Sequence, residues 1–556
     1  MREAFRYRGV FLDISRGKIP QMNYLKALIT WLAERKVNVF QLYCEDKVAL
    51  DSHPKIGRVT GTLSKEEVAE LAKYCEEHGI ELQPCFQTFS HMHGVLRTPG
   101  YENMSENAGL FSFSVCEPAV LNFISDEFEE VLPLFRSHTV NLNMDEAYDL
   151  GTGKSKDLVS EQGKGRTYLN FILEVAAVAR INGATKIQIW GDLIQNHPGL
   201  VSQLPDDVIL MDWNYNNQET YPSLDAFEKS GRTFWAAGGT GTWDTIFPRI
   251  HTIYRNMSEY CAEAAEKGAE GFLITDWGDY GHMQPAGLSL YEYAIGTRQM
   301  LDPSRVEDPK EWEDALFPEM FRDRRVEDAF RQLIHSDTAE GIQTGFKSMS
   351  IYAFFDDMLS GLSVFGNENY PKARESALEI LQEDGVFAGD LLREALKDPE
   401  SKVDAFDTWY EKELFGRTFA RELLLVADMM AFAGEKQLLG LRIRKEVEGG
   451  LSERKILERA FRIHLLYAKL QKIRSEFVSV WKLRSREIGI ETSLSMFDQL
   501  GVSLAEATRW LGAQRLKIDR GEDPENTLDS YVRNHPHCIL WTADFENLWD
   551  RAYPWQ

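Results

Sequence analysis

Through the first 300 residues the spacing of hydrophobic positions switches repeatedly between two periods. Short β-rich runs alternate with stretches whose apolar residues recur every three or four positions, and this happens eight times. The pattern predicts strands over Gly9–Ile14, Val37–Cys44, Ile80–Phe86, Thr139–Met144, Lys186–Trp190, Val208–Trp213, Thr233–Ala237 and Gly271–Thr275. Helical periodicity follows most of them, as in Asn23–Arg35, Lys65–His78, Pro118–Phe135 and Arg166–Ile181. Several strands are almost continuously apolar, as parallel strands buried on both faces are. Eight such units in about 300 residues match the size of a (β/α)8 TIM barrel. A doubly wound open sheet competes, but it would bring a glycine-rich turn after the first strand. That turn reads Asp13-Ile14-Ser15-Arg16-Gly17, without G-x-G-x-x-G.

After Pro303 the texture changes to long amphipathic stretches, such as Phe419 to Glu435 and Glu453 to Leu483. The expected organisation is therefore a catalytic barrel over 1–302 and a mostly helical domain over 303–556, with short strands near His537–Thr542. The helical half could complete the barrel's side, form a homo-oligomer interface or lend a residue to a neighbour's pocket. No internal repeat or low-complexity linker is seen.

Composition narrows the function classes. The balance of 62 basic and 87 acidic residues, a net charge of −25, disfavours nucleic acid and anionic membranes as partners. A neutral or cationic small molecule suits it better. Aromatics reach 12%, with 13 Trp, a stock of apolar floors for carbohydrate pockets. The six cysteines show no C-x-x-C pair or zinc spacing, and several sit inside apolar runs as reduced core thiols would. The first residues carry no signal-peptide core and no 18-residue apolar run occurs, so a cytoplasmic, soluble chain is expected.

In a barrel, reacting groups collect at the carboxyl ends of the strands. There the chain places Asp13 and Arg16, Glu45 and Asp46, Gln87 and His91, Asp145 and Glu146, Trp190 and Asp192, Trp213, and Trp277 and Asp279. Carboxylates and indoles without clustered Cys and His suggest glycoside chemistry rather than metal hydrolysis or phosphate transfer. Asn143-Met144-Asp145-Glu146 is the sharpest feature, because adjacent carboxylates after an apolar strand are costly to bury unless used or paired. Neighbours in sequence cannot easily flank a sugar ring as an ordinary acid and nucleophile do. They can serve two nearby atoms of one substrate. A solvated Asp-Glu cap is the alternative for the dipeptide alone.

Across residues 5–300 the chain resembles family-20 glycoside hydrolases, the β-N-acetylhexosaminidases. Tyr7-Arg8-Gly9-Val10-Phe11-Leu12-Asp13 is similar to the family's first strand, which implies that Arg8 grips the sugar's 3- and 4-hydroxyls. The end of strand two matches at Asp46 and that of strand three at His91, both implied to support the acid. Asp145-Glu146 resembles the catalytic pair. Trp190, Trp213 and Trp277 fall where the family walls its pocket, and Asp279 falls where a carboxylate binds outer hydroxyls. The resemblance implies substrate-assisted hydrolysis with retention, an exo-acting pocket and no cofactor. Glu146 would be the acid/base, with a pKa raised towards neutrality, and Asp145 would orient the acetamido group.

The chain also departs from the family. Asn143 and Met144 replace two usual glycines, so the backbone and pocket floor there should differ. Gln87 stands where an acid is usual, and Asp279 is one methylene shorter than the usual glutamate, which suggests that both gluco and galacto configurations are accepted. The tyrosine that holds the acetamido carbonyl has no obvious match; Trp243, in the segment from Trp235 to Trp243, is the expected wall. The family's accessory domain before the barrel has no counterpart ahead of the first strand. Gly151-Thr152-Gly153-Lys154-Ser155 lacks the first P-loop glycine, since Tyr148 occupies that position, and reads as a flexible loop or lid. His91-Met92-His93 offers no third ligand, so no metal is expected. Two rival functions stand beside the hexosaminidase: a retaining glycosidase with a separate nucleophile among Asp192, Asp276 and Asp279, and a non-catalytic sugar-binding barrel.

Overall fold

The computed structural model describes residues 4–279, 281–304, 308–338, 348–361 and 371–535. Eight parallel strands close into a barrel in sequential order: β1 (Tyr7–Asp13), β2 (Val39–Tyr43), β3 (Glu81–Cys85), β4 (Thr139–Asn141), β5 (Lys186–Trp190), β6 (Val208–Trp213), β7 (Phe234–Gly239) and β8 (Gly271–Asp276). β8 closes on β1, with Tyr7 opposite Gly271 and Leu12 opposite Asp276. The expected TIM barrel is thus present, followed by a helical region. Helices such as Met22–Glu34, Lys65–Glu77, Pro118–Phe135 and Lys164–Ile181 pack outside it, within two residues of the sequence expectation. Lys65–Glu77 starts at a capping box in which Ser64 and Glu67 satisfy each other's backbone N–H groups.

Alternation along each strand sorts the side chains. From β1 and β2, Tyr7, Phe11, Val39 and Tyr43 point into the barrel with Trp190, Met211 and Leu273. Val10, Leu12, Phe40 and Leu42 point out, into the layer shared with the helices. The interior also holds a polar layer in which Gln41 donates to Gln83 (2.9 Å) and Gln188 (2.6 Å) and accepts from Asn141. These hydrogen bonds offset part of the cost of removing the amides from water, although Gln83 Nε2 and Gln188 Nε2 have no hydrogen-bond partner.

From Pro309 onward the described residues contain helices and no named strand, the longest being Pro371–Lys397, Arg417–Glu448, Glu453–Arg484 and Glu491–Asp519. The strands anticipated near His537–Thr542 lie outside the described residues. No helix among the described residues is long and apolar enough to cross a membrane.

Candidate active site

The site begins where β4 ends. The strand stops at Asn141, three residues earlier than its hydrophobic pattern suggests, because Asn143 (φ 60°), Met144 (φ 69°) and Glu146 (φ 50°) all take left-handed backbone conformations. Such conformations cost roughly 1–3 kcal/mol each in non-glycine residues and persist only where the surroundings hold them. The surroundings do so here. Asn143 accepts from Trp190 Nε1 (2.9 Å), Met144 is fully buried, and its carbonyl accepts from the Tyr168 hydroxyl (2.6 Å). Asn and Met therefore stand in glycine-like geometry, and the altered pocket floor is the Asn143 amide under Trp190.

The kinked backbone separates the two carboxylates. Asp145 is buried; its Oδ1 accepts from Gln87 Nε2 (3.2 Å) and its carbonyl from the Ser90 hydroxyl. Glu146 is more open; its backbone N–H donates to Asp192 (3.0 Å), and its Oε1 accepts from the Tyr148 hydroxyl (3.2 Å). His91, itself at φ 55°, places Nε2 3.3 Å from Glu146 Oε2 and 3.6 Å from Asp145 Oδ2. One imidazole thus touches both acids from the same side.

The charges at this corner are interdependent. Burial would depress the His91 imidazolium, yet the hydrogen bond to Glu146 and the Asp145 charge override it and hold its pKa above the ordinary range. That same His91 bond holds Glu146 below the usual carboxyl range against the opposing effect of burial. The shift of Glu146 is therefore downward, not the upward one expected from the sequence. Burial raises Asp145 instead, and burial with the Asp145 charge pushes Asp192 up to about 7.

A chain of polar contacts crosses the mouth from Asp145. Gln87 also donates to the Tyr43 hydroxyl (3.1 Å), Tyr43 donates to Glu45 (2.8 Å), and Glu45 accepts from Arg16 Nη2 (2.9 Å). Arg16 Nη1 lies 3.8 Å from Asp279. Gln87, which replaces an acid, thereby couples Asp145 to the Arg16 cluster.

Aromatic rings wall the mouth. Trp190 and Trp277 sit 6.1 Å apart, and Trp277 also packs on Tyr43 (5.3 Å) and Phe11 (4.5 Å). Trp277 Nε1 donates to the Tyr215 hydroxyl (3.0 Å), and Tyr215 stacks on Trp213 (5.2 Å) and meets the edge of Trp243 (5.0 Å). Gly239 permits this closure, since a β-carbon there would lie 2.4 Å from Trp243 and 2.8 Å from Tyr215.

Two residues expected to bind or support substrate lie elsewhere. Arg8 sits at the amino end of β1, on the outward face, where its guanidinium donates to the carbonyls of Phe5 (2.7 Å) and Lys36 (2.9 Å). The strand-end arginine is Arg16, eight residues later. Asp46 also points outward, with its carboxylate held by Lys47 Nζ (2.5 Å) and Thr60 (3.2 Å). Strand alternation places its neighbour Glu45 in the mouth, in step with Gln41 and Tyr43. Tyr215 was missed. Its signal was its position two residues after Trp213, just beyond the end of β6.

The glycine-rich segment after Glu146 is pinned rather than loose. Glu106 accepts from the N–H groups of Gly153 (2.9 Å) and Ser155 (3.0 Å) and from the Ser155 hydroxyl, while Lys154 pairs with Glu117 (2.7 Å). Among the described residues, His91, Asp145 and Glu146 form the one group able to offer three metal-ligating atoms within 4.8 Å of one another. An ion there would occupy the carboxylates that face the mouth.

Comparison with known proteins agrees with this architecture. Residues 5–231 match the family model "Glycosyl hydrolase family 20, catalytic domain". Hexosaminidase D of Homo sapiens is 24% identical over 312 residues, covering 51% of this chain and 64% of that protein. Hexosaminidase D of Bos taurus is 24% identical over 299 residues, 50% of this chain and 85% of that one. The solved chitobiase of Flavobacterium johnsoniae superposes with a TM-score of 0.50 at 16% identity, over 86% of this chain and 78% of its own, a likeness of fold. The matched residues supply β1–β6 of the barrel and carry Asp145 and Glu146 at its carboxyl mouth, so this part of the chain is similar to the catalytic domain of glycosyl hydrolase family 20.

Proposed function

We propose that the chain is an exo-acting, retaining β-N-acetylhexosaminidase that removes terminal non-reducing β-linked GlcNAc or GalNAc, with Glu146 as general acid/base and Asp145 as its electrostatic partner. The observation that carries this reading is the single imidazole of His91 within 3.6 Å of both carboxylates. Two acids on one side of the mouth cannot flank a scissile bond as an acid and an enzymic nucleophile must. The substrate's own acetamido oxygen then attacks the anomeric carbon while Glu146 protonates the departing oxygen. In the second half the Glu146 carboxylate takes a proton from water as that water attacks the same carbon and opens the oxazolinium ring. Asp145 orients the acetamido N–H and stabilises the positive charge.

The other carboxylates are committed to different partners. Asp276 accepts from Thr242 (2.7 Å) on one oxygen and from Tyr293 (2.7 Å) on the other. Asp192 caps the Glu146 N–H from behind, and Asp279 faces Arg16. In this reading Arg16 and Asp279 take the outer hydroxyls, while Trp190, Trp213, Trp243 and Trp277 wall the sugar. Tyr215 is the tyrosine for the acetamido carbonyl.

The test is hydrolysis of aryl N-acetyl-β-glucosaminide and N-acetyl-β-galactosaminide beside the matching β-glucoside. Cleavage of the acetamido sugars alone supports substrate assistance; equal cleavage of the glucoside sinks it. Comparable rates on the two acetamido sugars are expected from the short Asp279 side chain.

The pH profile carries a further expectation. The proton that Glu146 must deliver is shared with His91, so kcat/KM should fall only as pH passes the raised pKa of that pair. In His91→Asn the proton has only the carboxyl to reside on. The alkaline limb should therefore move to lower pH, by about one unit or more. A limb that stays in place would remove His91 from proton storage.

A further inference from the structure

The turn that carries Arg16 is unusual in its backbone. Arg16 (φ 58°) and Gly17 (φ 96°) are consecutive left-handed residues, a conformation held only where neighbours impose it. On the inner side, Asp13 accepts from the N–H groups of Ser15 (2.7 Å) and Gly278 (2.8 Å), tying the β1 turn to the β8 turn. His282 Nε2 meets the Ser15 carbonyl at 2.9 Å.

The outer side is supplied by the helical region, some 470 residues away in sequence. Between the helices Glu453–Arg484 and Glu491–Asp519, the connector of residues 485–490 runs along the β1 turn. Ser485 bridges Pro20, the Gln21 N–H donates to the Arg484 carbonyl (2.7 Å), and the Arg486 N–H donates to the Ile19 carbonyl (2.9 Å). Gly489 (φ 95°) lies directly against Gly17. A β-carbon on Gly17 would stand 2.2 Å from the Gly489 carbonyl oxygen, and one on Gly489 would stand 2.3 Å from the Gly17 oxygen. Four residues on, the Ser493 hydroxyl donates to the Gly281 carbonyl in the turn that carries Asp279. The connector is itself anchored: Arg484 forms a fully buried pair with Glu422 (2.9 Å), and Glu422 also accepts from the Gly287 N–H (3.1 Å).

We propose that this connector is a positioning element for substrate recognition: Gly489 against Gly17 and Ser493 against Gly281 set where Arg16 and Asp279 stand. Its kinetic consequence rests on the hexosaminidase reading above, while its structural consequence does not. Adding bulk at the Gly17–Gly489 contact shifts the Arg16 turn rather than the catalytic pair, so the loss falls on KM more than on kcat.

The experiment compares full-length wild type, Gly489→Ala, Ser493→Ala and Leu504→Ala, the last removing a buried side chain of the helical region away from the connector. Melting temperature, kcat, KM for aryl N-acetyl-β-glucosaminide and amide exchange of residues 14–20 are measured for each. Gly489→Ala is expected to raise KM about tenfold or more, as sub-ångström to ångström misplacement of a binding group does, and to speed exchange of residues 14–20. Leu504→Ala should lose as much thermal stability with KM and that exchange unchanged. If Gly489→Ala does not fold, Ser493→Ala decides, since it adds no bulk and should raise KM severalfold. Unchanged KM and exchange in the connector variants, or the same changes in Leu504→Ala, would overturn the proposal. A wild type inactive on every acetamido sugar would defeat the functional reading, and the exchange data alone would then judge the positioning role.

Discussion

Glu146→Gln is expected to lower kcat by about 10²–10⁴-fold, the usual worth of a positioned general acid, with KM little changed. The substitution keeps the side-chain length and an oxygen that can accept the Tyr148 hydroxyl bond now given to Oε1. It leaves the N–H bond to Asp192 untouched, so the fold should hold and the melting temperature should move little. What disappears is the proton. The deficit should therefore depend on the leaving group, being largest for an alkyl glycoside and smaller for an acidic phenol that departs unprotonated. Initial rates across a series of aryl leaving groups check this. A loss under tenfold on the poorest leaving group would move the acid elsewhere, with Asp192, held near neutrality, the first place to look.

Asp145→Asn should cost about 10²–10³-fold in kcat, the range for removing one preorganised electrostatic group at a reacting centre. Its signature differs from that of Glu146→Gln. Asp145 is buried and accepts from Gln87, a contact that asparagine can keep, so the variant loses charge without losing shape. The rate should fall similarly for all leaving groups, because in the proposed mechanism the group acts on the acetamido side. Removing the charge also removes one of the influences that keep His91 above its ordinary range. The alkaline limb of kcat/KM should then move to lower pH in this variant as well. Equal sensitivity to the leaving group in both variants would mean that the two carboxylates do not divide the work as proposed.

The errors in the sequence reading share one physical origin. The resemblance points to Arg8 and Asp46 through the strands that match, but function in a barrel also requires the correct strand end and the correct face. Arg8 fails on both counts and Asp46 on the second, while Arg16 and Glu45 meet both. The downward shift of Glu146 was equally hidden. It depends on where a loop histidine comes to rest, and His91 reaches the acid only through its left-handed backbone. Trp190, Trp213 and Trp277, by contrast, join the aromatic cluster of the mouth from the ends of their strands, and Trp243 joins it from the loop after β7.

The sequence by itself determined the eight-fold alternation, and with it the closed barrel, because hydrophobic period and strand length are local properties written into each segment. It also located the Asp145–Glu146 pair, since adjacent acids after an apolar run are conspicuous wherever the chain goes next. Tertiary structure alone decided which side of each strand faces the mouth, how one histidine comes to lie beside two acids, and why Asn143 and Met144 can occupy glycine-like backbone. It alone brought Gly489 to Gly17. Contacts between residues hundreds of positions apart leave no periodic trace in the chain; they exist only once packing has closed the distance.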